Sequence, residues 1–442
     1  MRKMAWLSPM VVGLLLTGLV LQASAASRQE ELKKVRTEIR KEAGSRLPPL
    51  PIPANNPQTK DKVRLGEALF FDPNLSSCAT VACATCHLPE KGFSDGAAVS
   101  TGCQSATGRR NSPTVYQTAY LSHLFWDGRL QSLEQQALNP VVDPVEMANT
   151  WDSVLAYLKT GAHPATGKSL PEAKQFYETY FGKTFEGEIS TTTVAKAIGA
   201  YERTVNSMNS PFDRWVEGND KALTERQKKG LLVFFGRGKC SVCHNPPHFT
   251  DSDFHNIGVP NAGYEKAAQF PQNPDICQGV APDGDPGRAE VPALHAACAD
   301  VATFKTPTLR NVALSAPYMH NGKFATLEAA VAHYEELAKG TVTAVAGEMD
   351  SDVRKSTILF GMGGGEADDV ANMVEFMKAL TGSQRAAPKG GVAPPGLQCS
   401  NDVGLRPQRG QRQRRPRQKT PIRSEAVRTR CSPRRPPAGR RP

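Results

Sequence analysis

The chain has 442 residues, 39% of them hydrophobic and 22% charged, which fits a soluble globular body with substantial loops. Its formal net charge of +11 belongs to one end: 406–442 carries 13 Arg and one Lys against one acid, while the other 405 residues hold 40 basic against 42 acidic side chains. The basicity thus belongs to the tail and not to the globular body, and no apolar run beyond residue 25 is long enough to span a membrane.

In chain order, the first element is a leader. Arg2 and Lys3, the apolar run from Val11 to Leu21 and then Ala23-Ser24-Ala25 read as a cleaved signal peptide over 1–25. The run is too short to be a membrane anchor. A mature chain beginning near Ala26 is expected in the periplasm, where disulfides form.

Two Cys-x-x-Cys-His pentads follow, Cys83-Ala84-Thr85-Cys86-His87 and Cys240-Ser241-Val242-Cys243-His244. On a helical turn, residues i and i+3 share one side, so both thiols can reach the two vinyl groups of one porphyrin. The adjacent histidine then offers its imidazole to the iron. A redox Cys-x-x-Cys or half of a zinc site is the alternative for either pentad alone. Two pentads on an exported chain predict two covalent c-type haems, with Cys83, Cys86, Cys240 and Cys243 as attachment points and His87 and His244 as iron ligands.

The pentads sit in an internal repeat. Phe70-Phe71 and Phe234-Phe235 precede them. Downstream, Ser112-Pro113-Thr114, Trp126-Asp127-Gly128-Arg129 and Ser132-Leu133-Glu134 are matched at the same offsets by Thr306-Pro307-Thr308, His320-Asn321-Gly322-Lys323 and Thr326-Leu327-Glu328. The Ser/Thr-Leu-Glu runs resemble helix-start capping signals. Further helices are expected over Ser190 to Ser207, with Val194, Ile198 and Tyr201 on one side, over Leu223 to Phe235 and over Asp368 to Leu380. Pro260 to Gly287 reads as irregular, and strand patterns are few. The fold class is therefore mainly α: two related c-type cytochrome domains, one haem each, facing a shared interface. The expected boundaries are 26–205 for the first domain and 206–384 for the second. The Arg- and Pro-rich end, 385–442, reads as a disordered basic tail, either a solvated extension or a segment binding nucleic acid or an anionic surface. Cys78 with Cys103, and Cys277 with Cys298, are candidate disulfides by proximity.

From about Leu65 to Gly382 the chain resembles the bacterial di-haem cytochrome c peroxidases and MauG-like enzymes. The resemblance is carried by Leu65-Gly66, Phe70-Phe71-Asp72-Pro73, the first pentad, Arg110-Asn111-Ser112-Pro113-Thr114 and Phe125-Trp126-Asp127-Gly128-Arg129. It continues through Leu133-Glu134-Gln135-Gln136-Ala137, Pro144-Val145-Glu146-Met147, the second pentad and Lys305-Thr306-Pro307-Thr308-Leu309-Arg310-Asn311. It implies a first haem that reacts with hydrogen peroxide and a second that relays electrons. Glu146 matches the distal acid–base glutamate, Gln136 a distal glutamine, and Trp126 the tryptophan between the haems. Asn111, Ser315 and Pro317 match a calcium site, through one side chain and two backbone carbonyls. For Glu146 the bland alternative is a surface acid starting a helix at Met147.

Two departures stand out. Where the peroxidases place a histidine that caps the resting first iron, this chain has Cys103, and no histidine lies between His87 and His123. The resemblance then implies a first iron already open to peroxide, with Cys103 in a disulfide or, alternatively, on the iron. Where the peroxidases place a methionine on the second iron, Tyr334 stands, as in MauG-like enzymes; Met319, His320 and His333 are the alternatives. The implied activity is a periplasmic di-haem peroxidase fed by a small c-type cytochrome or cupredoxin. The rivals are a MauG-like oxidase acting on a protein or small molecule through high-valent iron, and an electron-carrier cytochrome. No nucleic-acid partner is expected, and a homodimer is allowed.

Overall fold

The computed structural model describes residues 9–44, 47–259, 285–291, 300–338 and 368–384. The tail and the Cys277–Cys298 pairing lie outside the described residues. The helices are α1 (Pro9–Ala43), α2 (Lys60–Phe70), α3 (Cys83–Cys86), α4 (Leu133–Gln136), α5 (Asn139–Val142), α6 (Trp151–Thr160), α7 (Pro171–Phe185), α8 (Thr191–Glu202), α9 (Pro211–Val216), α10 (Glu225–Phe235), α11 (Leu327–Ala338) and α12 (Asp369–Lys378). Strand structure among the described residues is slight. β1 (Ser207–Met208) pairs antiparallel with β4 (Ser383–Gln384), and β2 (Phe254–His255) with β3 (Phe304–Lys305). Among the described residues, no helix is long and apolar enough to cross a membrane.

Local chemistry sets the helix starts. Ser190 and Thr224 cap α8 and α10, each answered by the third helical residue, Thr193 and Gln227. Ser132 accepts from the Gln135 amide at the start of α4, and Thr326 from the Ala329 amide in the first turn of α11. The helix expected to reach Ser207 stops at Glu202. Gln117 explains the early stop: its amide donates to Val205 O (3.2 Å) and its Nε2 to Ser207 O (2.6 Å), drawing this stretch into tertiary bonds. No helix begins at Met147; the next one starts at Trp151.

Two apolar cores form. The first gathers Leu65, Leu69, Phe70, Tyr157, Tyr177, Val194, Ile198 and Tyr201 from α2, α6, α7 and α8. The second gathers Phe212, Trp215, Leu231, Phe234, Phe249, Val331, Met373 and Phe376. The repeat is visible in their construction. α2 meets α8 at Gly66, where an added Cβ would lie 1.8 Å from Ala197 O; α10 meets α12 at Gly230, where it would lie 1.9 Å from Asn372 O. Only glycine permits either approach. Thr114 Oγ1 donates to Gly92 O, and Thr308 Oγ1 to His248 O, both at 2.6 Å. Ser94 Oγ donates to Ser112 O, and Thr250 Oγ1 to Thr306 O.

One boundary is corrected. Residues 26–43, expected in the first domain by their place in the chain, pack on the second core. Leu32 and Ile39 of α1 are buried there. Arg36 lies over the Trp215 ring (4.2 Å) and pairs with Asp220, and Arg40 Nε donates to Val216 O (2.6 Å). The reason is amphipathic: an apolar stripe at i and i+7 needs a partner face, and α9 and α10 supply it.

The two cores join through polar contacts. Buried Arg110 bonds Asp127 (2.6 Å), Asp285 (2.7 Å) and Glu290 (2.8 Å). The Asn111 amide donates to His320 O (2.7 Å), and the Lys305 amide to Trp126 O (2.8 Å).

Candidate active site

Each pentad forms one tight turn on the wall of a cleft. In the first, Thr85 Oγ1 accepts from the Ala82 amide (2.9 Å) and the His87 amide reaches back to Cys83 O (3.0 Å). In the second, the His244 amide bonds Cys240 O (2.9 Å). His87 Nδ1 lies 3.1 Å from Phe93 O, and His244 Nδ1 lies 3.1 Å from Phe249 O. Both phenylalanines hold the left-handed backbone conformation, each at φ +57°, which presents that carbonyl. Donating Nδ1–H to a carbonyl leaves Nε2 as the lone-pair nitrogen, the usual arrangement behind a metal-ligating histidine. Burial lowers the pKa of both imidazoles, so the neutral, ligating form prevails.

The donor set fits a c-type haem in each cleft. Among the described residues the unpaired cysteines are Cys83, Cys86, Cys240 and Cys243, the four attachment points. Burial raises the thiols of Cys83, Cys86 and Cys240, which disfavours a free thiolate at these positions.

Gln136 and Glu146 line the first cleft together with Cys83, Cys86 and His87. Burial, reinforced by the Asp143 carboxylate, raises Glu146 to about 7, with Arg129 and Arg109 opposing. A carboxyl balanced near neutrality is suited to take and return a proton. Trp126 lines both clefts, and its Nε1 donates to Asn111 O (2.9 Å). Tyr334, on α11, lines the second cleft with His244, Met319 and His320. Burial, with Cys240 and Cys243 nearby, pushes its phenol far above the ordinary value. A phenolate there needs a cation beside it, as ferric iron would be. Of the alternatives, His333 is engaged elsewhere, with Nε2 2.8 Å from Ile257 O. His320 stacks on Phe304 (3.6 Å between ring centres) and its Nε2 has no partner among the described residues.

Cys103 is bonded to Cys78, Cα to Cα 5.7 Å, so its sulfur is committed away from the first iron. Asn111 Nδ2 donates to Ala97 O (2.8 Å), and Ser315 and Pro317 flank Ala316 in the turn that leads to His320. Two groups escaped the sequence reading. Glu202 lines the first cleft, its Oε2 has no partner among the described residues, and burial raises it to about 8. Lys305 is buried against the second cleft and lowered to about 8. The signal for Glu202 was its place one turn after Ile198, an acid ending an apolar helix face.

The profile of the di-haem cytochrome c peroxidase family matches residues 60–221. The methylamine utilization protein MauG of Methylophilus methylotrophus is 34% identical over 292 residues, covering 65% of this chain and 76% of the relative. The cytochrome c551 peroxidase of Pseudomonas aeruginosa is 34% identical over 328 residues, covering 74% and 81%. The crystal structure of a MauG-like protein associated with microbial copper homeostasis superposes with a TM-score of 0.61 at 29% identity, covering 76% of this chain and 93% of that one. The chain belongs to the di-haem cytochrome c peroxidase family and is an oxidoreductase of peroxidase type.

Proposed function

We propose that the protein is a periplasmic peroxidase that reduces hydrogen peroxide to two waters, consuming two electrons and two protons. The electrons come from a small c-type cytochrome or cupredoxin. The observation that carries this reading is Glu146, a carboxyl poised near neutrality on the wall that the first pentad shares. When bound, the two haems supply the electron exchange that side chains lack. Cleaving the O–O bond needs a proton moved from one peroxide oxygen to the other; the Glu146 carboxylate accepts it and returns it. Gln136 offers its amide to the same oxygens. His87 and His244 are held as neutral ligands by Phe93 O and Phe249 O. Trp126, on the wall of both clefts, carries the electron between them. Tyr334, on the wall of the second cleft, would supply that iron's further ligand. Asn111, through its side chain, and Ser315 and Pro317, through their backbone carbonyls, would hold a calcium ion at the junction. The export-type leader and the Cys78–Cys103 disulfide support the oxidising compartment.

The test is steady-state oxidation of a reduced small cytochrome c by the di-haem protein and peroxide, without pre-reduction. Immediate turnover is expected, because Cys103 stands where the peroxidases place the capping histidine and is committed to the disulfide with Cys78. Absence of turnover, with a long-lived oxidised spectrum, overturns the peroxidase reading in favour of the MauG-like oxidase, which Tyr334 in the second cleft also favours. The pH dependence has a definite sign. Glu146 accepts a proton only as carboxylate, so the peroxide reaction rises with pH through a midpoint near 7 and falls as acid protonates it. A stopped-flow pH profile that is flat through neutrality contradicts the assignment.

A further inference from the structure

We propose that the Cys78–Cys103 disulfide is a positioning device for Glu146, clamping the main chain of the catalytic acid against the first haem-attachment turn. The inference rests on the reading of Glu146 given above. Two consecutive carbonyls, those of Glu146 and Met147, are each held by an amide at one end of the covalent link. The Cys103 amide donates to Glu146 O (2.8 Å), and the amide of Ser77, next to Cys78, donates to Met147 O (2.9 Å). Cys103 Sγ lies 3.4 Å from that same Met147 carbonyl. The bridge thus closes across the two consecutive carbonyls on either side of the Met147 α-carbon.

The fit is tight on each side. A Cβ on Gly102 would lie 2.3 Å from the carbonyl oxygens of both Val145 and Glu146, so only glycine lets the loop approach this closely. Cys103 and Met147 are both 2% exposed, in the first core. Cys78 lies five residues ahead of Cys83, so the clamp ties the acid-bearing segment to the turn that carries the haem thiols. Glu146 lies in no helix; the segment from Val145 to Asn149 is irregular and borders the exposed Thr150. Its backbone is fixed by turn bonds to Pro140, Val141 and Asp143 and by this clamp. Cutting the link leaves two hydrogen bonds from loops that are no longer joined.

The test compares the native di-haem enzyme with C78S/C103S, C78A/C103A and E146Q, each with both haems verified. Displacement of a catalytic group by about 1 Å costs up to 100-fold, so kcat/KM for peroxide is expected to fall about 10- to 100-fold in the double variants. The KM for the electron donor is expected to stay unchanged. The pH midpoint is expected to move to lower values, as a better hydrated carboxyl ionises earlier. A merely stabilising bridge would lower the melting temperature and leave the midpoint in place, which overturns the proposal. Loss of turnover in E146Q with native rate and midpoint in the double variants overturns the clamp alone. An unaffected E146Q overturns the role of Glu146 and the clamp's purpose with it. Should neither double variant take up both haems, hydrogen–deuterium exchange on the native holoenzyme decides: Cys103 and Ser77 amides exchanging as slowly as those of α8 support the clamp, and exchange as fast as an exposed loop overturns it.

Discussion

Replacing Glu146 with Gln is expected to lower kcat/KM for peroxide by about 10²- to 10⁴-fold, the range that one positioned acid–base group contributes. Glutamine has nearly the same volume and keeps an oxygen in place, so the cleft should retain its shape. It has no proton to cycle, so the transfer between peroxide oxygens is left to water. Both haems should remain attached, because the four thiols and His87 and His244 are untouched. Single-turnover mixing with peroxide, read by absorbance, checks this. A variant reacting at the native rate would remove Glu146 from the mechanism.

Tyr334→Met is expected to shift the midpoint potential of the second haem upward, by on the order of 0.1 V or more within the roughly 0.8 V that axial ligands span. The phenol is buried and far above its ordinary pKa, so it ionises only beside a strong positive charge. A hard anionic oxygen then favours oxidised iron, whereas a methionine thioether favours the reduced form. Spectroelectrochemical titration reads the shift. The first haem, reporting through His87, serves as the internal control. An unmoved second potential would pass the ligand role to His320, which lines the same cleft and whose Nε2 has no partner among the described residues.

The features legible in the sequence are those that local spacing determines. The pentads, the capped starts at Ser132 and Thr326, and the Ser-Pro-Thr/Thr-Pro-Thr repeat each need fewer than six residues to be recognised. Their consequences appear at matching places in both halves, down to the carbonyls of Phe93 and Phe249 behind the two histidines. What stayed hidden depends on distant partners. The stop of α8 at Glu202 is imposed by Gln117, and the partner face for Leu32 and Ile39 lies on helices much later in the chain. The Cys78–Cys103 pair could be guessed from proximity, but its grip on Glu146 and Met147 could not. That grip joins segments 44 residues apart through backbone atoms, which carry no sequence signature. Glu202 is a similar case: its chemistry comes from the cleft that α4 and the first pentad close over it.

The placement of α1 also fixes an order of assembly. Arg36 meets a residue 184 positions later, and Arg40 one 176 positions later. This segment, made well before its partners, therefore docks only after α9 and α10 exist, while the first core, lying between these partners in sequence, is free to form ahead of it. Closing so large a loop is slow relative to local helix packing. Trp215 gains its covering cation, and the second core Leu32 and Ile39, only when that early helix returns. Residues 26–43 thus act as a latch on the second core, fastened only after α9 and α10 have been synthesised.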